Sequence, residues 1–579
     1  MAFPCQGVRF WYEEKSRVPA CVGRKGAILS EFVTGHPSTH GDSYQLNTTN
    51  LFRQAVVTHP EQEIVFRDAS HAWRSTSYAA TWRRVARTAH MLRGIGVEPG
   101  DVVGVLDWNH LRHFELYWAI PGTGAVMLQM NLRLAVDDLA YVVEHAGATV
   151  VCVDESLLGQ AEQLAERCPR VRHWVVMSDR PLPEITTSLP DPLDHEALLA
   201  QQGEEFDWPV IDETSAYSAC YTTGTTGRPK GVFYSHRGIV LHTMMWAADQ
   251  AVSDHDNVLL TTPMFHAQCW GLPQVAVYAR ARVVLPGRYS ADEIGVLARA
   301  MVDYEITVTN GAPAIFAPML EYLRSLPEPP DLSRARMISG STEPPLSLIK
   351  GYHDLTGASI VHGYGATETT PLVTSNRPKP SLEGRLGEQE FWDLKRSQGL
   401  PVAGVDIRVL SADGSFLPHD GTSVGEICVR GPWITESYWK SDEADKFHRG
   451  YWRSGDMGVI TPEGYVKITD RLKDVIKSGG EWISSIDLEN ALMGHSAVRR
   501  AAVVGAPHPK WQERPVALVV PEPGHDVDLD QLRTHLAATF AKWQLPDEIL
   551  VVDDLPTTSV GKLDKKALRD EYAGFYGER

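Results

Sequence analysis

The stretch Tyr221-Thr-Thr-Gly-Thr-Thr-Gly-Arg-Pro-Lys-Gly231 decides how this chain is read. It sets three glycines, four threonines and one lysine together. Glycine lets a backbone approach an anion closely and turn its N–H groups inward, while hydroxyls and the Lys230 ammonium add donors and charge. The order is not G-x-x-x-x-G-K-[ST], so this is not the P-loop of that pattern. The stretch predicts a loop that wraps the phosphates of a nucleoside triphosphate by another route.

Outward from this loop, two patterns alternate. LFRQAVVTHP (51–60) and YAATWRRVARTAHMLRGIG (78–96) read as helices, the second closed by glycine. EIVFRD, DVVGVLD, ATVVCVDE, RHWVVMS, ARVVLPG and EITVTNG are short Val/Ile-rich runs of strand type. Strands alternating with helices predict an α/β fold with largely parallel sheets. From about 385 to 469, DIRVLSADGSFL, GEICVRG and GVITPEGYVKITD are strands separated by D-G and E-G turns, which predicts a small β-rich subdomain. After Asp470, two strand-like runs and the helix-like DLDQLRTHLAATFAKW predict an α+β module. The expected order is an N-terminal extension (1–45), a large domain of two α/β layered subdomains plus the β-rich one (46–469), and a smaller C-terminal α+β domain (470–579).

Bulk properties narrow the function. A chain of 579 residues exceeds one ordinary core, and 43% hydrophobic with 22% charged residues is a globular composition. The formal charge of -18 argues against a nucleic-acid surface, although a local Lys/Arg cluster can still take a small anion. The seven cysteines (5, 21, 152, 168, 220, 269 and 428) are odd in number and lack a C-x-x-C pair, which predicts a reducing compartment without disulfides or structural zinc. No apolar run reaches the length of a membrane span and no signal-peptide pattern is read, so a cytoplasmic location is expected.

Four more segments combine small, acidic and basic residues: HGYGATETTP (362–371), WRSGDMG (452–458), DRLKDVIKSGGEWIS (470–484) and PTTSVGKLDKKALR (556–569). With the phosphate loop, they make the chain resemble the adenylate-forming superfamily of acyl-CoA synthetases, luciferases and peptide-synthetase adenylation domains, from roughly Leu46 to Arg569. PMFHAQCWGLP, EWISSIDLENALMGH and PHPKWQERP are most similar to the medium- and long-chain fatty-acyl-CoA ligase branch.

The resemblance implies that an acid attacks ATP to give acyl-AMP and pyrophosphate, and that the acyl group then passes to CoA. Charge builds on phosphoryl oxygens, which positioned cations and N–H donors stabilise. Thr222, Thr223, Gly224, Thr225, Thr226 and Gly227, with Lys230, are implied to hold the β- and γ-phosphates, Thr367 to add a hydroxyl, and Glu368 to ligate Mg²⁺. Tyr364 would stack on adenine beside Gly363, Asp456 would accept from the ribose hydroxyls, and Arg471 would reach ribose and phosphate. Lys562 is the implied catalytic cation, bridging the α-phosphate and the acid. Rotation about Asp470 would exchange Lys562 for the glycine-rich loop Ser478, Gly479, Gly480, which opens a path for the CoA thiol.

His266, Trp270, Gly311, Gly340 and Glu343 fall in segments that line the acyl pocket of such relatives. Glu343 stands with Thr342 where fatty-acyl relatives usually carry small residues. A carboxylate beside an apolar chain is costly unless paired or solvated, so Glu343 is either a solvated loop residue or a determinant of acid specificity. Other readings are an adenylating ligase with an acceptor other than CoA, one that activates an unusual acid, and a non-catalytic nucleotide binder. A homodimer is a family-level expectation.

Overall fold

Ser77 shows how the first subdomain is punctuated. It ends the strand Trp73–Ser77 and caps the helix Tyr78–Gly94, its hydroxyl accepting from the Ala80 amide at 3.2 Å. Val85, Ala89 and Leu92 then recur at helical spacing and are buried. The computed structural model describes residues 35–41, 43–222, 228–290, 293–382, 384–479, 481–557 and 563–577.

Two large sheets form the body. The seven-stranded sheet runs Leu193–Asp194, His173–Met177, Ala148–Asp154, Val102–Leu106, Val126–Gln129, Ala216–Tyr221, Gly231–Ser235, parallel except for the last pair. Every residue of Val102–Leu106 is buried, as expected where helices cover both faces of a parallel sheet. The nine-stranded sheet runs Leu400–Pro401, Leu372–Ser375, Ser359–Gly365, Arg336–Ser339, Val308–Gly311, Asn257–Leu259, Arg282–Leu285, Glu63–Arg67, Trp73–Ser77. Its centre is parallel and its edges are antiparallel.

The β-rich sheet starts later than the turn signals suggested. Its strands are Asp406–Leu410, Gly425–Arg430, Phe447–His448, Tyr451–Ile460 and Val466–Arg471. Glu388–Arg396 is instead a helix, whose Trp392 meets the His353 ring edge-on at 5.7 Å, and Leu400–Pro401 joins the nine-stranded sheet. That stretch therefore belongs to the layer before it.

The C-terminal sheet holds Glu481–Ile483, Ile476–Ser478, Gln512–Pro521 and Val498–His508, with Glu548–Val551 parallel to Gln512–Pro521. Helices Ser485–Met493 and Leu529–Ala537 pack Leu488, Leu492, Leu532 and Leu536 on one face, and Leu568 of Lys565–Glu571 covers the other. Asp470 lies buried within Val466–Arg471, and its carboxylate accepts from the Ser485 amide and hydroxyl, each at 2.7 Å.

Of the extension, residues 1–34 lie outside the described residues; Gln45, Leu46 and Asn47 bond to Glu213 and Ile211 at 2.6–3.0 Å. The cysteines described are buried and free. Among the described residues, no helix is long and apolar enough to cross a membrane.

Candidate active site

The stretch expected to wrap phosphates lies in the sequence between two antiparallel strands, Ala216–Tyr221 and Gly231–Ser235. Its neck is closed by Thr222, whose amide donates to the Lys230 carbonyl at 2.9 Å while its hydroxyl accepts from the Lys230 amide at 3.2 Å. Thr223, Gly224, Thr225, Thr226 and Gly227 lie outside the described residues, as do Gly480 and Lys562. The Lys230 ammonium pairs with Glu443 and sits 5.2 Å from the centre of the Tyr438 ring.

Glu368 lies in the turn Thr367–Thr369, just beyond the strand Ser359–Gly365. Tyr438 donates its phenol hydrogen to Glu368 Oε1 at 2.7 Å, and the Tyr234 phenol donates to the Thr367 carbonyl at 2.7 Å. Burial raises the Glu368 pKa, opposed by the Tyr438 hydrogen bond and the charge of Lys230. Gly365 makes the bend before this turn possible, because a Cβ there would stand 1.8 Å from the Pro371 carbonyl oxygen.

The expected nucleoside residues meet one another. Tyr364 donates to Asp456 Oδ2 at 2.6 Å, and Arg471 Nε lies 3.5 Å from Asp456 Oδ1. Asp456 and Arg471 are cross-strand partners, so the β-rich sheet itself sets this pair. Burial, and then the charges of Lys446, Arg569, Lys230 and Arg471, lower the Lys473 pKa. These cations gather locally in a chain of net charge -18, which is what a polyanionic ligand needs.

The expected acyl segments meet at the carboxyl ends of parallel strands, where open α/β sheets bind ligands. A Cβ on Gly340 would lie 2.8 Å from the Gly363 carbonyl oxygen and 3.3 Å from Trp270, and one on Gly311 would lie 2.9 Å from Phe316. His266 and Trp270 are half-buried. Glu343 is not a solvated loop residue. Its Oε1 accepts from Arg396 Nη2 at 2.6 Å and Nε at 3.0 Å, and from Asn490 Nδ2 of the C-terminal module at 3.0 Å.

On the C-terminal module, Ser478 accepts from Arg514 at 3.1 Å, and the Gly479 amide donates to the Trp511 carbonyl at 2.9 Å. Gly479 has φ 62°, and a Cβ would lie 3.0 Å from the Trp511 ring. Lys565 donates to Ser485 at 2.6 Å and pairs with Glu489 at 2.8 Å, which anchors the helix following residue 562 to the helix that Asp470 caps.

A profile of AMP-binding enzymes matches residues 52–439, and one of the AMP-binding enzyme C-terminal domain matches 487–562. The chain belongs to the AMP-binding enzyme family. It is an AMP-forming acid–thiol ligase of the adenylate-forming superfamily. It is 42% identical to a long-chain-fatty-acid–CoA ligase of Thermus thermophilus, over 94% of this chain and 99% of that protein. A medium-chain-fatty-acid–CoA ligase of Ectopseudomonas oleovorans is 33% identical over 91% and 96% of the two chains. The crystal structure of the anthranilate CoA ligase AuaEII with anthranoyl-AMP shares the fold, with a TM-score of 0.80 over 91% and 98% of the chains at 23% identity.

The AMP-binding motifs exposed Lys230, Glu368, Tyr364, Asp456 and Arg471 to sequence reading. Tyr438, Glu443 and Lys473 were missed as individuals. Lys473 could have been found inside the basic run after Asp470, whereas nothing local marks Tyr438 or Glu443. A divalent cation fits Glu368: its carboxylate offers hard oxygens, and a cation would offset the burial that disfavours its ionised form.

Proposed function

We propose that this enzyme activates a medium- to long-chain carboxylic acid with ATP and passes the acyl group to CoA. The observation that carries the reading is the convergence of Lys230, Glu368, Tyr364, Asp456 and Arg471 around one site beside the phosphate hairpin. The long- and medium-chain relatives support the acid class. So does the pairing of Glu343 with Arg396, because no uncompensated carboxylate is then left beside an apolar chain.

In the first step an acid oxygen bonds to the α-phosphorus, the bond to the β-phosphate oxygen breaks, and pyrophosphate leaves. The loop 222–227 and Lys230 take the β- and γ-phosphates, and Asp456 takes the ribose hydroxyls. Lys562 balances the charge shared by the α-phosphate and the acid. Glu368 would hold Mg²⁺, which supplies charge neutralisation on the triphosphate. In the second step the CoA sulfur attacks the acyl carbon, AMP departs, and the thiol proton passes to solvent. The C-terminal domain turns about Asp470 between the steps, replacing Lys562 with Ser478–Gly480.

Product mass spectrometry with ATP, Mg²⁺ and a panel of acids, with and without CoA, tests this. Acyl-CoA and AMP from alkanoic acids, appearing only with CoA, are expected. Acyl-AMP that accumulates and ignores CoA would overturn the acceptor assignment.

A further inference from the structure

Tyr438 touches both charged groups of the phosphate end. Its ring lies under the Lys230 ammonium and its hydroxyl meets Glu368, yet it comes from the loop before the β-rich strand Tyr451–Ile460, far from either motif. Trp452 Nε1 lies 3.1 Å from the Tyr438 oxygen. An indole N–H can only donate, so the phenol oxygen accepts there and its own hydrogen is directed to Glu368 Oε1 at 2.7 Å. Both rings are buried, and packing alone would be met by phenylalanine.

We propose that Tyr438 is a positioning residue that holds the Glu368 carboxylate aimed for a divalent cation while its ring fixes Lys230 for the nucleotide phosphates. This rests on the proposed reading of Lys230 and Glu368. The two duties separate by atom: the hydroxyl serves the metal and the ring serves the phosphates.

The test uses Mn²⁺ as probe, with a non-hydrolysable ATP analogue and no acid or CoA, read by water-proton relaxation. Tyr438→Phe is expected to weaken Mn²⁺ binding in the nucleotide complex about tenfold, because a hydrogen bond to a charged group is lost. Nucleotide affinity measured in EDTA should stay within about twofold, because the ring remains. Tyr438→Leu should lose both affinities. Trp452→Phe, which removes the indole donor and keeps the phenol, should weaken Mn²⁺ in the same direction by less, and it decides the matter if the Tyr438 variants fail to fold. Wild-type Mn²⁺ affinity in Tyr438→Phe, or equal loss of metal and nucleotide, would overturn the proposal. A wild-type protein that binds neither nucleotide nor Mn²⁺ would instead overturn the reading of the site.

Discussion

Replacing Glu343 by alanine separates two accounts of that residue. Glu343 Oε1 receives two bonds from Arg396 and one from Asn490, and its side chain is only 13% exposed. Removing one member of a fully buried pair costs about 3–5 kcal/mol, because a charge is left unmatched. Arg396 is 26% exposed, so water partly compensates and about 2–3 kcal/mol is the expected loss. Asn490→Ala isolates the contact to the C-terminal module and removes one bond to a charged group, about 1.5–3 kcal/mol at most. Glu343→Ala should therefore lower the melting temperature and leave the order of preference among acids unchanged. Asn490→Ala should lower stability by no more than Glu343→Ala does and change the balance between acid-dependent pyrophosphate release and thioester formation from supplied acyl-AMP. Chain-length profiles and the two half-reactions, assayed separately, check this. A selective gain in turnover of apolar acids by Glu343→Ala would refute the reasoning, because it would mean that the carboxylate charge reaches the acyl pocket.

Lys562→Ala is expected to abolish acyl-AMP formation while supplied acyl-AMP is still converted to the thioester; equal loss of both steps would remove the two-orientation account. Adenylation needs Glu368 ionised and burial raises its pKa, so the rate should fall as pH drops through a value above the ordinary glutamate range. Added Mg²⁺ should move that limb to lower pH. By linkage, the same raised pKa makes the Glu368 contribution to stability greatest below its unfolded value and lost as pH rises through the folded one. Gly365→Ala should cost about 3 kcal/mol or more in a thermal or urea melt, since its Cβ would strike backbone rather than a movable side chain.

The parts of this molecule legible in sequence are those whose chemistry dictates residue type. A phosphate-wrapping loop would ask for Gly, Thr and Lys, so Lys230 stood out, while Asp456 stood out through the resemblance of WRSGDMG to adenylate-forming enzymes. Strands also stood out, because burial on both faces leaves continuous Val/Ile runs such as 102–106. Partner choice did not. EIVFRD gives no local hint that it pairs with Arg282–Leu285 rather than with the nearby Val102–Leu106. EQEFWDLKR was absorbed into the β-rich stretch because the turns after it dominate the pattern. The reading of Glu343 as a solvated loop residue lacked Arg396, 53 residues onward, and Tyr438 acquires meaning only when folding brings Lys230 and Glu368 to it.

The hairpin formed by Glu63–Arg67 and Trp73–Ser77 closes the edge of the nine-stranded sheet, although the sequence of the seven-stranded sheet follows it immediately. During synthesis, Ile64 and Val65 emerge long before Val283 and Val284, the neighbours they need. A hairpin whose first strand carries buried apolar residues and has one unpaired edge then waits through the making of an entire sheet, a period when strand edges invite wrong partners. Once paired, the same hairpin works as a strap: chain that leads into one layer is woven into the other. A protease nick at 200–215 would fall within the seven-stranded layer and leave each fragment with strands in both sheets, so the two layers should still melt in a single transition.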